Sequence, residues 1–264
     1  MRARGSGPAL LLIHGLGADH QDWLPVAARL ESHFEVLLVD LPGQGASRGE
    51  PLPASIEALA GQLWDAIDRR GIESLAIAGH SLGGAVAQAM ALARPERCQR
   101  LVICNSLTAF VPYTLRGFME LQVRRVLATL LGPVWTARLG ARRMFPAPAQ
   151  AEQRAMVIER GRRNTRRSYL HYLDVLTRWR GAPAELAMPV LWLASGADYF
   201  PNQRVRDEVA AIPDCELRFF DHAGHGLPMQ HPDQVAAAIA AFLGGSSELT
   251  PENATAKAAA DERR

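Results

Sequence analysis

Lysine is all but missing from this chain of 264 residues: Lys257 is the only one, and every other basic residue is arginine. Alongside the many alanines, that usage reads as genomic base composition rather than function. A large excess of either charge is missing too. The formal net charge of +2 leaves no whole-chain argument for nucleic acid or an anionic membrane as partner. Cysteine is scarce. Cys98, Cys104 and Cys215 form an odd set without metal-ligand or redox spacing, so they read as reduced and structural. No apolar run approaches the ~20 residues that span a bilayer. Arg2 and Arg4 precede an apolar run at 8–13, but it is too short for a secretory signal and leads directly into His14-Gly15, which the chemistry below requires. These absences point to a cytoplasmic protein. What is present is ordinary for a soluble chain, 48% hydrophobic and 21% charged. The length suits one large domain, or a domain with an insertion.

Short apolar runs alternate with helical patterns through most of the chain, which predicts an α/β fold around a mostly parallel sheet flanked by helices. The strands are expected at 9–13, 34–39, 75–78, 101–104, 190–194 and 216–220. A continuous run such as Ala-Leu-Leu-Leu-Ile at 9–13 suits a strand buried on both faces. Trp23, Val26, Ala27 and Leu30 mark one helix by their i, i+3, i+4, i+7 spacing. Ile56, Leu59, Leu63 and Ile67 mark a second, which stops at Gly71. Later helices are expected up to about 94, near 204–211 and over 232–243. From 107 to 185 the alternation lapses into arginine-rich helical sequence broken by Pro112, Pro133, Pro146 and Pro148. The polar segment 246–264 is expected to be a disordered tail.

The densest chemical signal is the tract Leu75-Ala76-Ile77-Ala78-Gly79-His80-Ser81-Leu82-Gly83-Gly84. It reads as a buried strand, a sharp turn carrying a serine, and a helix crowded with small residues. Gly79 and Gly83 flank Ser81 in the pattern G-x-S-x-G. Side chains at the flanking positions would collide in so tight a turn, and Ser81 is forced into strained backbone geometry with its hydroxyl above the sheet. A serine nucleophile also needs a base, a group to orient that base, and donors for the developing oxyanion. Each is on hand at the C-terminal end of a strand. Asp198 follows the strand at 190–194 through Ser195-Gly196-Ala197, whereas Asp207 and Asp221 lack that Gly-x-Asp spacing. His225 follows the strand ending at Phe220, within Asp221-His222-Ala223-Gly224-His225-Gly226, where His222 is the other candidate base. His14-Gly15-Leu16-Gly17 follows the first strand, where a backbone N–H can point at a substrate carbonyl. The chain order is serine, acid, histidine.

Together these motifs resemble the α/β-hydrolase superfamily over roughly residues 8–243. The resemblance implies the α/β-hydrolase fold, a catalytic triad of Ser81, Asp198 and His225, and an oxyanion hole made by the backbone N–H groups of Leu16 and Leu82. It selects His225 over His222, because the family's Gly-His pair precedes a helix. His14, Gly15, Gly79 and Gly83 are then motif residues with structural roles. Asp40-Leu41-Pro42-Gly43-Gln44-Gly45-Ala46-Ser47 is similar to the family's D-x-x-G-H-G-x-S loop, with Gln44 where histidine is usual, and would shape the pocket mouth. The family inserts a cap after the strand that lies here at 101–104. Residues 107–185 are therefore expected to form a helical cap on a core of 1–106 and 186–245.

That insertion carries 14 arginines against five acidic residues, a net of +9, and leaves the remainder at −7. One reading is a basic cap that draws a carboxylate-, phosphate- or CoA-bearing substrate. The other is arginine on solvated helix faces, as at Arg162-Arg163 and Arg166-Arg167. Phe110, Tyr113, Phe118, Trp135, Phe145 and Trp179 are candidates for lining a pocket. Relatives usually carry a β-hairpin ahead of the first strand, where this chain has only Met1 to Gly7. Either the start is assigned late, or the strand at 34–39 lies at an edge of the sheet. The expected activity is hydrolysis of a carboxylic ester, thioester or lactone of a small acyl substrate, with neither metal nor organic cofactor and no nucleic-acid partner. The superfamily's carbon–carbon-cleaving and elimination enzymes share the triad and are the alternative. A catalytically silent fold that binds a small ligand is another.

Overall fold

In the computed structural model, which describes residues 1–112 and 114–244, seven strands form one sheet. They are β1 (Arg2–Arg4), β2 (Ala9–Ile13), β3 (Glu35–Leu38), β4 (Leu75–His80), β5 (Cys98–Cys104), β6 (Val190–Ser195) and β7 (Cys215–Phe220). Their order across the sheet is β1-β3-β2-β4-β5-β6-β7. Neighbours from β3 to β7 run parallel, and only β1 is antiparallel.

One expectation is corrected here. The strand at 34–39 is not at the edge, because β1 covers it, pairing Arg2 with Leu38 and Arg4 with Val36. Gly5 turns the chain back with φ +74, at a point where a Cβ would meet the Glu31 carbonyl oxygen at 2.1 Å. The Arg4 guanidinium then pairs with the Glu31 carboxylate.

The parallel strands are apolar without interruption because both faces are covered. Leu11, Ile13, Ile77, Leu101, Ile103 and Trp192 pack on one face. They meet α2 (Ile56–Asp68) and α3 (Leu82–Ala93), where Leu59, Leu63, Val86 and Met90 are buried. Leu10, Leu12, Val36, Val102 and Leu191 point the other way. There they meet α1 (Leu24–Leu30) and the final helix, α10 (Pro232–Leu243), through Val26, Leu30, Val235 and Ile239. Helix α2 starts where Ser55 accepts a hydrogen bond from the Ala58 N–H, a serine N-cap. Cys98 and Cys104 are free thiols buried in this core.

Among the described residues, four α-helices stand between β5 and β6: α4 (Leu115–Leu130), α5 (Pro133–Met144), α6 (Ala151–Arg163) and α7 (Arg166–Arg178). The neck of the insertion is closed by an antiparallel bridge between Ala109 and Arg180 and by the Gly181 N–H donating to the Thr108 carbonyl at 2.7 Å. Beyond β6, α8 (Asn202–Val209) leads to β7, and the short α9 (Leu227–Gln230) leads to α10. Tyr113 and the tail expected at 246–264 lie outside the described residues. Among the described residues, no helix is long and apolar enough to cross a membrane.

Candidate active site

The turn from β4 into α3 places Ser81 at the C-terminal edge of the sheet. Its φ of 55° and ψ of −117° are a conformation that residues other than glycine rarely adopt. The cause is crowding. A Cβ at Gly79 would lie 2.1 Å from the Gly83 carbonyl oxygen, and one at Gly83 would lie 2.2 Å from the Ile13 carbonyl oxygen. The turn is pinned from β5: the Ser81 N–H donates to the Cys104 carbonyl at 3.0 Å, and the Ser106 hydroxyl donates to the Ser81 carbonyl at 2.7 Å.

Asp198 and His225 come from the loops after β6 and β7. His225 Nδ1 lies 2.7 Å from Asp198 Oδ1, and both side chains are under one tenth exposed. A carboxylate only accepts, so Nδ1 carries the proton and Nε2 is left as the acceptor. The Tyr199 N–H donates to the same carboxylate oxygen. Three rings wall the imidazole: Tyr199 at 4.5 Å between centroids, His80 at 4.9 Å and Phe200 at 5.7 Å. The Ser81 hydroxyl faces the same cavity as His225 without a hydrogen bond between them. His222 and Asp207 are exposed to solvent.

Two residues that sequence reasoning did not single out hold the His225 backbone. His80 Nε2 donates to the His225 carbonyl at 2.7 Å. The Asn105 amide donates to that carbonyl at 3.0 Å, to the Gly224 carbonyl at 3.2 Å and to Ser195 Oγ at 2.9 Å. Asn105 sits at φ 43°, a region asparagine tolerates better than most residues. Burial, with the neighbouring His225 next in weight, pushes the His80 pKa down to about 3. The one signal in the sequence was position, since Asn105 directly follows β5.

The loop after β2 faces Ser81 from the other side. Leu16 lines the cavity, and no hydrogen bond among the described residues occupies its N–H or that of Leu82. Leu82 opens α3, where the first N–H groups have no partner within the helix. Gln44, at the position that departs from the family pattern, accepts from the Gly17 N–H at 2.7 Å. Asn164 of the insertion donates to the Gly17 carbonyl at 2.6 Å. His14 spends both ring nitrogens on backbone, donating from Nδ1 to the Gly15 carbonyl and accepting the Leu41 N–H on Nε2. Arg160 of α6 reaches down to Asp22 and Asp19 in a buried cluster.

Two neighbouring spaces with shared lining residues lie between insertion and sheet. A small one of about 90 Å³ is bounded by Leu16, Ser81, Arg124, Tyr169, Tyr199 and His225. A larger one of about 990 Å³ shares Ser81, Arg124 and His225 and extends along α4 and α5 past Phe110 and Arg143. Of the other aromatic candidates, Phe145 and Trp179 are buried, and Phe118 and Trp135 are exposed. Among the described residues, no cluster of three or more His, Cys, Asp or Glu side chains is placed to hold a metal ion.

A serine in a strained strand-to-helix turn, with a carboxylate-held imidazole in the same cavity, can support nucleophilic attack on a carbonyl. The architecture is that of an α/β hydrolase: an enol-lactonase from Burkholderia xenovorans superposes with a TM-score of 0.83 at 24% identity, over 92% of this chain and 95% of that one. Residues 10–238 match the alpha/beta hydrolase family. The chain is 32% identical to a pimeloyl-(acyl-carrier protein) methyl ester esterase of Stenotrophomonas maltophilia over 254 residues, 92% of this chain and 95% of that protein. It is 28% identical to an enzyme of the same description from Pseudoalteromonas atlantica, over 88% of this chain and 93% of the other. The protein belongs to the alpha/beta hydrolase family and is an enzyme.

Proposed function

We propose that the protein hydrolyses a carboxylic ester, thioester or lactone through an acyl-enzyme on Ser81, with the four helices of the insertion as a cap over the site. The observation that carries this reading is the buried 2.7 Å contact of His225 Nδ1 with Asp198, in a cavity that also holds the Ser81 hydroxyl. In the proposed cycle, His225 Nε2 takes the Ser81 proton as Oγ attacks the carbonyl carbon. Asp198 keeps the imidazole in the required tautomer and stabilises the imidazolium. The N–H groups of Leu16 and Leu82 receive the oxyanion, each such donor contributing roughly 3–4 kcal/mol. His225 returns the proton to the leaving alcohol, thiol or enol, and then deprotonates the water that releases the acid. The missing Ser81–His225 hydrogen bond is compatible with this cycle, because catalytic hydrogen bonds often tighten only once substrate is bound.

The test is a panel of p-nitrophenyl esters and lactones of graded acyl length, assayed with the unaltered protein and with Ser81→Ala. Removal of the nucleophile is expected to lower kcat by about 10⁶-fold. Near-full activity in Ser81→Ala would end the proposal.

A further inference from the structure

The arginines of the insertion do not all have the same fate. Arg125, Arg143, Arg160, Arg162 and Arg178 each meet a carboxylate of the protein, and Arg154 donates to backbone carbonyls. These account for themselves as ion pairs and caps. Arg124 does not. It points from α4 into both spaces beside Ser81. Among the described residues, its guanidinium donates no hydrogen bond and touches no carboxylate.

What surrounds Arg124 is aromatic. Its guanidinium carbon lies 5.8 Å from the centroid of the Tyr199 ring, and that ring is the one against His225. Tyr169 lines the same inner space. Glu120, one turn back on α4, is already engaged by Arg143 at 3.2 Å. A half-buried cation therefore faces a cavity with its N–H fork unsatisfied, one ring away from the imidazole. Facing the cavity, that fork is free to receive an acceptor from a ligand. The planar partner that matches a guanidinium fork is a carboxylate. Among the described residues, Arg124 is the one arginine on the wall of the inner space, so a single negative charge balances it there, whereas a phosphate dianion would call for a second cation. Arg124 and Ser81 line the same inner space of about 90 Å³, which suits a short chain between them.

We propose that the cavity beside Ser81 takes an acyl group ending in a carboxylate, as in a half-ester of a short dicarboxylic acid or a carboxylated lactone, and that Arg124 holds the carboxylate. The assignment rests on the ester- and lactone-hydrolase reading above and adds its substrate class. It also separates the two readings of the insertion's charge, since one inward arginine, rather than the +9 as a whole, does the recognising.

The experiment compares monomethyl succinate, glutarate and adipate with neutral methyl esters of equal chain length. The expected result is a kcat/KM for the best half-ester at least tenfold above that of its neutral counterpart. In Arg124→Met that ratio should fall by about 10- to 100-fold, the range spanned by a hydrogen bond to a charged group. Arg167→Gln, which removes an exposed arginine, should leave the ratio alone. So should about 0.5 M salt, because salt screens exposed charges far more than buried ones. A ratio that collapses in Arg167→Gln or in salt would assign the preference to long-range steering and overturn the role of Arg124. Should Arg124→Met fail to fold, the unaltered protein decides: glutarate must inhibit neutral-ester hydrolysis at a concentration at least tenfold lower than butanoate, and equal inhibition refutes the proposal. If no ester of either series is turned over in a Ser81-dependent way, the hydrolase reading itself falls. If neutral esters are turned over and half-esters are no better, or their preference survives Arg124→Met, only the carboxylate assignment falls.

Discussion

Asn105 offers the sharpest perturbation of how His225 is held. Its amide NH₂ has two hydrogens for three acceptors, the carbonyls of Gly224 and His225 and the Ser195 hydroxyl. The two carbonyls can only accept, which settles that the nitrogen and not the amide oxygen faces them. Asn105→Ala removes both hydrogens. The His225 carbonyl keeps the His80 bond, but the Gly224 carbonyl loses its donor. Two lost hydrogen bonds at about 0.5–1.5 kcal/mol each, with one carbonyl left buried and unpaired, put the cost at about 2–4 kcal/mol. At about 2–4 °C per kcal/mol for chains near this length, Tm falls by about 4–16 °C. Turnover falls as well. A shift of about 1 Å in the proposed base is worth about 10²-fold, so with His80 still in place kcat is expected to drop by about 10- to 100-fold, with KM little changed. Asn105→Asp preserves the shape but sets acceptor against acceptor, and should lose at least as much on both counts. Thermal melts followed by circular dichroism, and kcat and KM on p-nitrophenyl acetate, give the two readouts. If Asn105→Asp retains kcat within twofold and melts within about 2 °C of the unaltered protein, a shift of under ~1 kcal/mol, this account of His225 is wrong.

Arg160→Met should destabilise the fold by about 3–5 kcal/mol, because Asp22 and Asp19 would be left buried without their cation. Denaturant unfolding measures it, the double variant with Asp22→Leu should regain part of the loss, and an unchanged midpoint would contradict the reasoning. Acid should unfold the protein partly through His80. Its folded pKa of about 3 lies below the unfolded ~6.5, so the unfolded state binds the extra proton between those values. Stability is then full above pH ~6.5 and falls by up to about 1.4 kcal/mol per pH unit toward pH 3. Buried His14, also shifted down by desolvation, acts in the same direction. Denaturant titrations from pH 7.5 to 4.5 should show that slope, and a flat profile would refute it.

Much of the architecture was legible because a sheet covered on both faces demands unbroken apolar strands, and 9–13, 75–78 and 190–194 sit within two residues of the observed limits. The β1 strand was not. Arg2, Ala3 and Arg4 are exposed, and only pairing with β3 makes them a strand. Around the candidate site, Ser81, Asp198 and His225 stood out because each ends a strand beside glycines that permit a tight turn. His80 and Asn105 did not, since their partner lies 145 and 120 residues away in sequence and nothing local records the contact. Gln44 was visible as a departure from a pattern, but its bond to Gly17 required the folded loops. Arg124 and Arg125 are adjacent and alike in sequence. One turns to the cavity and the other to Asp174, a difference set by how α4 packs.

The central claim is that Ser81 is a nucleophile activated by His225. Labelling with a fluorophosphonate probe, with the modified peptide identified by mass spectrometry, tests it most directly. One adduct is expected, on Ser81, formed rapidly in the unaltered protein and lost in both Ser81→Ala and His225→Ala. No adduct, an adduct on another residue, or undiminished labelling in His225→Ala would contradict it.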